Sequence, residues 1–390
     1  MIHSIGTIFQ IIAILGCASS SAFYLLCLWS ASRFLRGRGS EESVHSAQPL
    51  PGVSILKPLK GTDPNIYQSF RSHCLQDYPE FEIIFGVSDR DDPAVAVVQQ
   101  LQQEFPDRAM RLVICPEKLG PNVKVGNLEQ MVQVARNEYL IVNDSDILVD
   151  RDYLRRVIPP LLDPLVGMVT CLYRGIAEPT LGSRLESLGI STDFCAGVLA
   201  AQQLEGGLHF GLGSTLAFRR ADLDKIGGFR SIVDYLADDY ELGEKLSDLG
   251  LKILLSGVVV ETHLPAYNLR GFLSHQMRWA RGVRDARLGG YIGLVSTFGF
   301  FWVLVNLILA HAAPWSWAVL AAVASLRITV ALAVGNSVLH DRQVFVRLWQ
   351  LPVRDLIAVG IWIASFIGHT VVWRGEKFLL KNGRLTRIGT

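Results

Sequence analysis

The sequence predicts an α/β domain with a mostly parallel sheet and helices on both faces, flanked by transmembrane helices at both ends of the chain. Strand-like apolar runs begin at Val53, Glu82, Arg111 and Tyr139, with helix-like stretches between them. Their spacing of about 30 residues is what a β-α-β unit requires. Long apolar stretches near both termini raise the mean hydropathy to +0.30, which is high for a soluble protein.

The composition excludes several classes of function. Lys and Arg (37) nearly balance Asp and Glu (36), so the chain has no overall basic field and no nucleic-acid partner is predicted. The six cysteines form no CxxC pair and no zinc-type cluster with histidine, and we expect reduced thiols. Neither a P-loop nor a GxGxxG turn after a strand occurs, which argues against a P-loop ATPase and a Rossmann dehydrogenase.

Residues 1–38 predict a membrane anchor. The stretch Ile5–Trp29 contains no charged residue, and a bilayer core needs roughly 20 such residues. A cleaved signal peptide is the alternative, but it usually begins with basic residues and has a shorter apolar core. Here the basic residues follow the stretch, which favours an uncleaved anchor with its C-terminal side in the cytosol. These residues are Arg33, Arg36 and Arg38.

Residues 291–374 predict a second membrane region, transmembrane or re-entrant. One apolar block runs from Tyr291 to about Gly335 and is long enough for two spans, and another runs from Leu356 to Trp373. Three spans here would place the C-terminus outside, yet the tail of residues 375–390 is basic and should prefer the cytosol. We therefore expect one of these segments to be re-entrant or interfacial.

The part between the membrane regions, residues 50–270, predicts a globular domain in the cytosol, preceded by a polar linker over residues 40–50. Pro93 comes directly before a helix-like run, a favoured first-turn position. Strands that alternate with helices indicate a parallel sheet covered on both faces. In open sheets of this kind, ligands bind outside the carboxyl ends of the strands.

Acidic residues collect at that edge of the predicted sheet. Asp89 follows the second strand, and Asp144 and Asp146 follow the fourth. For Asp91 and Asp92, which precede Pro93, simple capping of the next helix is the preferred interpretation. Two carboxylates one residue apart repel each other, and a divalent cation such as Mg²⁺ or Mn²⁺ would neutralise them. Because these ions favour phosphate oxygens as further ligands, a nucleotide sugar is a good candidate substrate.

Two later segments contribute further candidates. Asp238 and Asp239 begin a predicted helix; they are either ordinary first-turn acids or include a general base for sugar transfer to a hydroxyl. Residues 271–290 predict an interfacial amphipathic helix with arginines at every third position. For Arg284 and Arg287 a lipid-contacting flank is the preferred interpretation. Arg278 with Trp279 suits a phosphate and an acceptor wall.

The ordered set Asp89, Asp144, Asp146, Asp239 and the stretch HQMRW (residues 275–279) resembles the signature of membrane-bound GT-A, family 2-like glycosyltransferases. More narrowly, residues 50–290 resemble the ceramide glucosyltransferase family, and within it the bacterial hopanoid-associated branch. The stretches that carry this resemblance include "VSILKPLKGTDPN", "GPNVKVGNL", "GLGSTLAFRR" and "DYLADDYELG". It implies a GT-A catalytic domain over residues 50–270.

The resemblance also implies roles for individual residues. Asp89 would hold the uridine part, with Pro58 and Lys124 lining the nucleotide pocket. Asp144 and Asp146 would bind the diphosphate and the metal, and Asp239 would be the catalytic base. Arg278 and Trp279 would close over the diphosphate and the acceptor. The signature usually begins with Gln or Arg; this sequence has His275 there, with Gln276 one place further on. The resemblance implies that His275 belongs to the acceptor and diphosphate side, where a histidine can donate a hydrogen bond to phosphate.

For function, the resemblance implies an inverting, UDP-sugar-dependent transferase acting on a lipid hydroxyl at the bacterial inner membrane. The hopanoid branch implies transfer of N-acetylglucosamine from UDP-N-acetylglucosamine to bacteriohopanetetrol; glucose transfer to ceramide is the alternative. A polysaccharide synthase, which usually has more spans, and a non-enzymatic scaffold are less favoured. We expect the lipid to enter between residues 275–279 and the first anchor. Nothing in the sequence predicts an oligomeric state.

Overall fold

The computed structural model describes residues 2–41 and 49–388. The chain begins with one long helix, α1 (Ile2–Glu41), of which Gly6–Arg38 is long and apolar enough to cross a membrane. This agrees with the anchor predicted over residues 1–38. Most of the predicted linker, residues 42–48, lies outside the described residues.

The next part of the chain forms the parallel half of a sheet. All of β1 and β2 is buried, as expected for strands covered by helices on both faces. β1 lies between β2 and β4, with Val53 opposite both Phe81 and Tyr139, and the carboxyl ends of all three strands meet at one edge. The elements are β1 (Val53–Pro58), α2 (Ile66–Cys74), β2 (Phe81–Val87), α3 (Ala94–Glu104), β3 (Met110–Ile114), α4 (Val123–Val132) and β4 (Tyr139–Val142).

The second half of the sheet is mixed. Across the described residues the sheet has the order β3-β2-β1-β4-β7-β6-β8-β5, in which β7 is antiparallel to β4 and β6, while β6 and β8 are parallel. The predicted mostly parallel sheet is therefore confirmed, and its antiparallel pairs all lie in the second half, at β4–β7, β7–β6 and β8–β5. The elements are β5 (Ile147–Leu148), α5 (Tyr153–Val157), β6 (Val166–Ile176), α6 (Leu181–Gly189), α7 (Cys195–Leu204), β7 (Leu216–Arg219), α8 (Arg220–Lys225), α9 (Asp238–Asp248) and β8 (Lys252–His263).

Beyond the sheet the chain is mainly helical again. A polar N-cap, Asn268, accepts a hydrogen bond from the Gly271 amide at 2.8 Å and starts the helix that contains the RW motif. A π-helical turn, Ile190–Phe194, joins α6 to α7 within the preceding domain. The elements are α10 (Leu269–Ala286), α11 (Leu288–Gly293), α12 (Gly299–Leu309), α13 (Pro314–Ala331), α14 (Gln343–Arg347) and α15 (Leu351–Ser365).

The C-terminal membrane region contains one clear candidate span. Pro314–Val338, which is α13 with its π-helical continuation, is long and apolar enough to cross a membrane. The segments Leu288–Thr297 and Gly299–Leu309 would together form another, but they are bent by 51°. Helix α15 has only 15 residues, so the apolar block at residues 356–373 does not form one long helix. It changes to a strand shortly after Gly368, whose φ of +83° suits glycine.

The basic tail is folded. Three antiparallel strands form a small sheet, so the boundary drawn at residue 374 falls inside a hairpin. This sheet packs on Leu236, just before α9, and its apolar side is buried through Val371, Phe378 and Leu380. The strands are β9 (Thr370–Trp373), β10 (Glu376–Lys381) and β11 (Arg384–Arg387).

Candidate active site

The two carboxylates after β4 lie on a loop that buried polar contacts hold in place. The Asn143 side-chain amide donates to the Ser214 carbonyl at 2.6 Å and is fully buried. The Lys57 ammonium group, buried at the end of β1, donates to the Asp144 carbonyl at 3.0 Å. Burial lowers the pKa of Lys57 to about 7, although the nearby Asp146 and Asp144 oppose this. The loop is therefore fixed from both neighbouring strands.

Lys124 connects this loop to the start of α9. Its ammonium nitrogen lies 2.8 Å from Asp144 Oδ1 and 2.9 Å from Asp238 Oδ2. Burial alone would lower the pKa of Lys124, but attraction to Asp144, Asp238 and Asp239 outweighs it and the pKa is raised. Lys124 thus stays charged and holds the two acidic segments together. The sequence resemblance placed it in the nucleotide pocket, and the structure adds this bridging position.

Asp239 faces the same space as Asp144. Its Oδ2 accepts a hydrogen bond from the Gly213 amide at 2.8 Å. A Cβ atom on Gly213 would lie 3.0 Å from Asp144 Oδ2 and 3.3 Å from Asp239 Oδ2, so both carboxylates press against this glycine. Burial and the neighbouring Asp238 raise the pKa of Asp239 to about 6. A carboxylate with a pKa just below neutrality is well suited to act as a general base.

Asp146 completes the acidic cluster. Its Oδ2 accepts a hydrogen bond from the Thr262 hydroxyl at 2.6 Å, and the hydroxyl of Ser145 contacts Asp63. Burial, followed by repulsion from Asp144, raises the pKa of Asp146 to about 6. This electrostatic cost is what a bound cation would relieve.

The residues fit a divalent metal that takes most of its ligands from the substrate. Among the described residues, no group of three or more His, Cys, Asp or Glu side chains could hold a metal by itself. Asp144 Oδ2 and Asp146 Oδ1 are the carboxylate oxygens not engaged by Lys124 or Thr262. Mg²⁺ and Mn²⁺ commonly use one or two carboxylates with phosphate oxygens and water.

The remaining nucleotide-pocket candidates lie at the same edge of the sheet. Pro58 ends β1 and is buried, and Asp89 is exposed just beyond β2 with its Oδ1 accepting from the Asp91 amide at 3.0 Å. Asp92 caps α3 through the Ala94 amide and also accepts from the Gly61 amide, which confirms the capping interpretation. In the described chain, Asp89 forms no hydrogen bond or ion pair with the acidic cluster.

Arg278 on α10 is a cation without a polar partner. It forms no hydrogen bond or ion pair within the described part of the chain. Burial lowers the pKa of Arg278, and Tyr267 and Glu186 oppose this; Asp144 acts in the same sense and so lies within its electrostatic reach. An unpaired guanidinium within electrostatic reach of Asp144 is suited to a phosphate.

A row of aromatic rings lines this side of the site. Trp279 lies 5.1 Å from the His275 ring and 5.8 Å from Phe194, measured between ring centroids. His275 in turn stacks on Tyr267 at 5.4 Å, and Phe194 contacts Tyr173 at the same distance. Trp279 and His275 therefore lie in one row of aromatic rings, and the acceptor role of Trp279 stays a prediction.

Sequence reasoning missed several members of the site. Lys57, Phe194, Tyr267 and Glu186 were not singled out, since each lies in an ordinary-looking run. A lysine inside the strand "VSILKP" was the one available signal, because a buried charge requires a partner. The lipid-flank interpretation of Arg284 was wrong: its side chain is buried and binds the Ser365 and Gly368 carbonyls. Arg287 pairs with Glu205 at 2.5 Å.

The family follows from comparison with known proteins. The model for Glycosyl transferase family 21 matches residues 12–386, nearly the whole chain. The chain belongs to this family. It is a glycosyltransferase, and the resemblance to ceramide glucosyltransferases is confirmed. The non-enzymatic scaffold is thereby disfavoured.

Two ceramide glucosyltransferases match along most of their length. Ceramide glucosyltransferase 1 of Caenorhabditis elegans is 24% identical over 96% of this chain and 81% of its own. Ceramide glucosyltransferase 3 of the same organism is also 24% identical, over 86% of this chain and 74% of its own. Among solved structures, the mannosyltransferase PcManGT of Pyrobaculum calidifontis, in complex with GDP-Man and Mn²⁺, is similar with a TM-score of 0.54. It is 20% identical, covers 92% of this chain and 99% of its own, and confirms the GT-A-like fold.

Proposed function

We propose that this family 21 enzyme transfers a sugar from a UDP-sugar to the hydroxyl of a membrane lipid. The observation that supports it best is the convergence of Asp144 and Asp239 on Gly213, with Asp146 on the same loop. The unpaired Arg278 lies within electrostatic reach of this cluster. The carboxylates proposed to hold the metal and to act as the base thus lie near an arginine that could bind the diphosphate.

In the proposed reaction, the hydroxyl oxygen of the lipid bonds to the anomeric carbon of the sugar, and Asp239 accepts the hydroxyl proton. The bond from that carbon to the diphosphate breaks, and UDP leaves on the opposite face, which inverts the configuration. Asp144 and Asp146 would hold Mg²⁺ or Mn²⁺, which when bound stabilises the charge on the leaving diphosphate. Arg278 adds a second positive charge, and Trp279 walls the acceptor side.

The proposed location is the inner membrane of a bacterium, with the catalytic domain in the cytosol. Helices α1 and α13 are the candidate spans. Arg33, Arg36 and Arg38 follow the apolar part of α1, on the side of the catalytic domain, as the positive-inside rule requires. The site would then face the leaflet from which a lipid hydroxyl is presented.

Two acceptors remain in the proposal. The names of the family 21 relatives support ceramide with glucose as the transferred sugar. The resemblance to the hopanoid branch supports bacteriohopanetetrol with N-acetylglucosamine. Both lipids are amphipathic and present a hydroxyl near the membrane surface, so the same metal site and base would serve either one.

The test is a transfer assay with purified protein in detergent and Mg²⁺ or Mn²⁺. UDP-glucose, UDP-N-acetylglucosamine and UDP-galactose are each combined with ceramide or bacteriohopanetetrol, and the lipid product is identified by mass. N-acetylhexosamine on the hopanoid supports the narrower proposal, and hexose on ceramide supports the alternative. Absence of product with every pair, while the protein is folded and binds UDP, would contradict lipid transfer with these acceptors.

The entry route of the lipid stays a prediction. Helix α1 packs against α7, and Phe194, directly before α7, contacts Trp279 of α10. The expected groove between residues 275–279 and α1 would therefore be bordered by Phe194. A photoactive lipid should crosslink to α1 or α10; crosslinks to neither would exclude this route.

A further inference from the structure

Through its side chain, Glu186 contacts two consecutive residues of α10, His275 and Gln276. It lies on α6, and its side chain is fully buried. Oε2 accepts a hydrogen bond from the Gln276 amide at 2.9 Å, and Oε1 lies 3.2 Å from His275 Nδ1. Within the described chain neither of these two facing atoms has a hydrogen-bond partner, and the contact of 3.2 Å between them is the nearest polar approach of either one. A buried carboxylate oxygen is costly unless a donor faces it, so Nδ1 of His275 is the atom expected to carry a proton.

The surroundings of Glu186 form a buried chain of charges. The side-chain oxygen of Gln276, Oε1, accepts a hydrogen bond from Arg354 Nη2 at 3.0 Å. Arg354 Nη1 lies 3.8 Å from Asp193. Asp193 also pairs with Arg327 of α13 at 2.5 Å. The Arg354 guanidinium packs directly on Gly189, where a Cβ atom would lie only 2.5 Å from Nη2. This chain runs from a candidate membrane span to the helix of the RW motif.

In this network of charged side chains, the carboxylates outnumber the arginines. The carboxylates are those of Glu186, Asp193 and Asp355, and the permanent cations are Arg327 and Arg354. Glu186 forms no ion pair with either arginine; the side chains in polar contact with it are His275 and the uncharged Gln276, and Arg278 attracts it from a longer distance. A buried charge of this kind calls for a donor that is held close and in one orientation.

The His275 ring is held on its faces as well as at Nδ1. Tyr267 stacks on it with an interplanar angle of 22°, and Trp279 packs at 50°. About 19% of the side chain is still accessible. Since Nδ1 is buried, that accessibility belongs to the other atoms of the side chain.

We propose that Glu186 is a positioning residue that fixes His275 with its Nδ1 proton directed at the carboxylate and its Nε2 edge presented to the substrate. This rests on the proposed function, because it assigns His275 to the substrate side of the same site. Glu186 thereby orients the histidine at the position where the signature that the sequence resembles has Gln or Arg. A carboxylate that binds one ring nitrogen of a histidine sets the tautomer and orientation of the other.

The first test is independent of activity. Histidine-selective ¹⁵N NMR of the detergent-solubilised full chain gives the protonation pattern of each ring, with His275→Ala identifying the His275 signals. The expected result is an Nδ1-protonated ring in the wild type and a changed pattern in Glu186→Gln. A His275 ring without a proton on Nδ1, or one unaffected by Glu186→Gln, overturns the proposal even if the enzyme proves to use another substrate.

The second test is a double-mutant cycle in the transfer assay. Glu186→Gln and His275→Ala should each lower kcat/KM on the order of 10-fold, and the double variant should lose no more than the larger single loss. Additive losses would mean that Glu186 acts through the fold rather than through His275. Wild-type activity with an unaffected Glu186→Gln variant would refute only this inference, whereas an inactive wild type would refute the proposed function.

Glu205→Gln is the matched control for both tests. Glu205 also pairs with an arginine at the end of α10, Arg287 at 2.5 Å, but that arginine is about half exposed and the pair lies outside the buried chain. We expect it to leave kcat/KM and the His275 signals unchanged. Unfolding temperatures of all variants, measured in the same detergent, separate loss of positioning from loss of fold.

Discussion

The acidic side of the site and the α10 side are held in place by different kinds of interaction. Asp144 and Asp146 follow a buried strand that is bonded through its main chain to both neighbours in the sheet. Arg278 and Trp279 stand on a helix attached by side-chain contacts, such as Gln276 to Glu186, 90 residues apart in sequence. A main-chain ladder tolerates many sequences, whereas a buried ion chain depends on each member.

The difference explains where function and stability should separate. On the acidic side, removing the Asp239 carboxylate leaves the sheet and the ion pairs of Lys124 with Asp144 and Asp238 intact, so chemistry is lost first. On the α10 side, removing one charge leaves another one buried without its partner, so stability is lost together with activity. The predictions below test this contrast from the largest expected effect to the smallest.

Asp239→Asn should lower kcat by on the order of 10²- to 10⁴-fold, because the amide cannot accept the proton of the attacking hydroxyl. Binding of the UDP-sugar, measured by calorimetry, and the unfolding temperature should change little. Loss of UDP-sugar binding instead of turnover would show that Asp239 is not the base. Gly197→Ala, at a helix position with open space around it, serves as the unchanged control.

Arg327→Met should lower the free energy of unfolding by about 3–5 kcal/mol, since it leaves Asp355 buried without its cation and removes the nearer of the two arginines that pair with Asp193. The measurement is unfolding in detergent at constant protein concentration. Combining it with Asp193→Asn and Asp355→Asn should recover part of the loss, because the orphaned charges are removed as well. A single variant as stable as the wild type would show that this charge chain does not hold α13.

Gly213→Ala should lower kcat/KM by about 10-fold with little change in stability. The new methyl group would lie 3.0 Å from Asp144 Oδ2 and 3.3 Å from Asp239 Oδ2, so both carboxylates must move. A displacement of this size at reacting groups is costly for rate. The check is steady-state kinetics next to the unfolding temperature. Unchanged kinetics would mean that the two carboxylates do not share one substrate.

The sequence predicts the acidic side of the site better than the α10 side. The four strands starting at Val53, Phe81, Met110 and Tyr139 follow from apolar runs at regular spacing, and the acidic cluster follows from what ends them. The partner of Gln276 could not be predicted, because nothing local pairs Glu186 with a helix that begins about 80 residues later. The folded tail was missed for a related reason: its strands are short, β10 and β11 are rich in basic residues, and they meet Tyr235 and Leu236, about 150 residues earlier in the chain.

The smallest effect is expected at the exposed end of α10. Glu205→Gln breaks the pair with Arg287, whose side chain is 47% exposed, and should lower the free energy of unfolding by less than about 1 kcal/mol. The loss should shrink further in high salt, which screens exposed charges. Unfolding at two salt concentrations measures this. A large, salt-independent loss would place Glu205 with the buried chain and remove the contrast between the two kinds of ion pair on this helix.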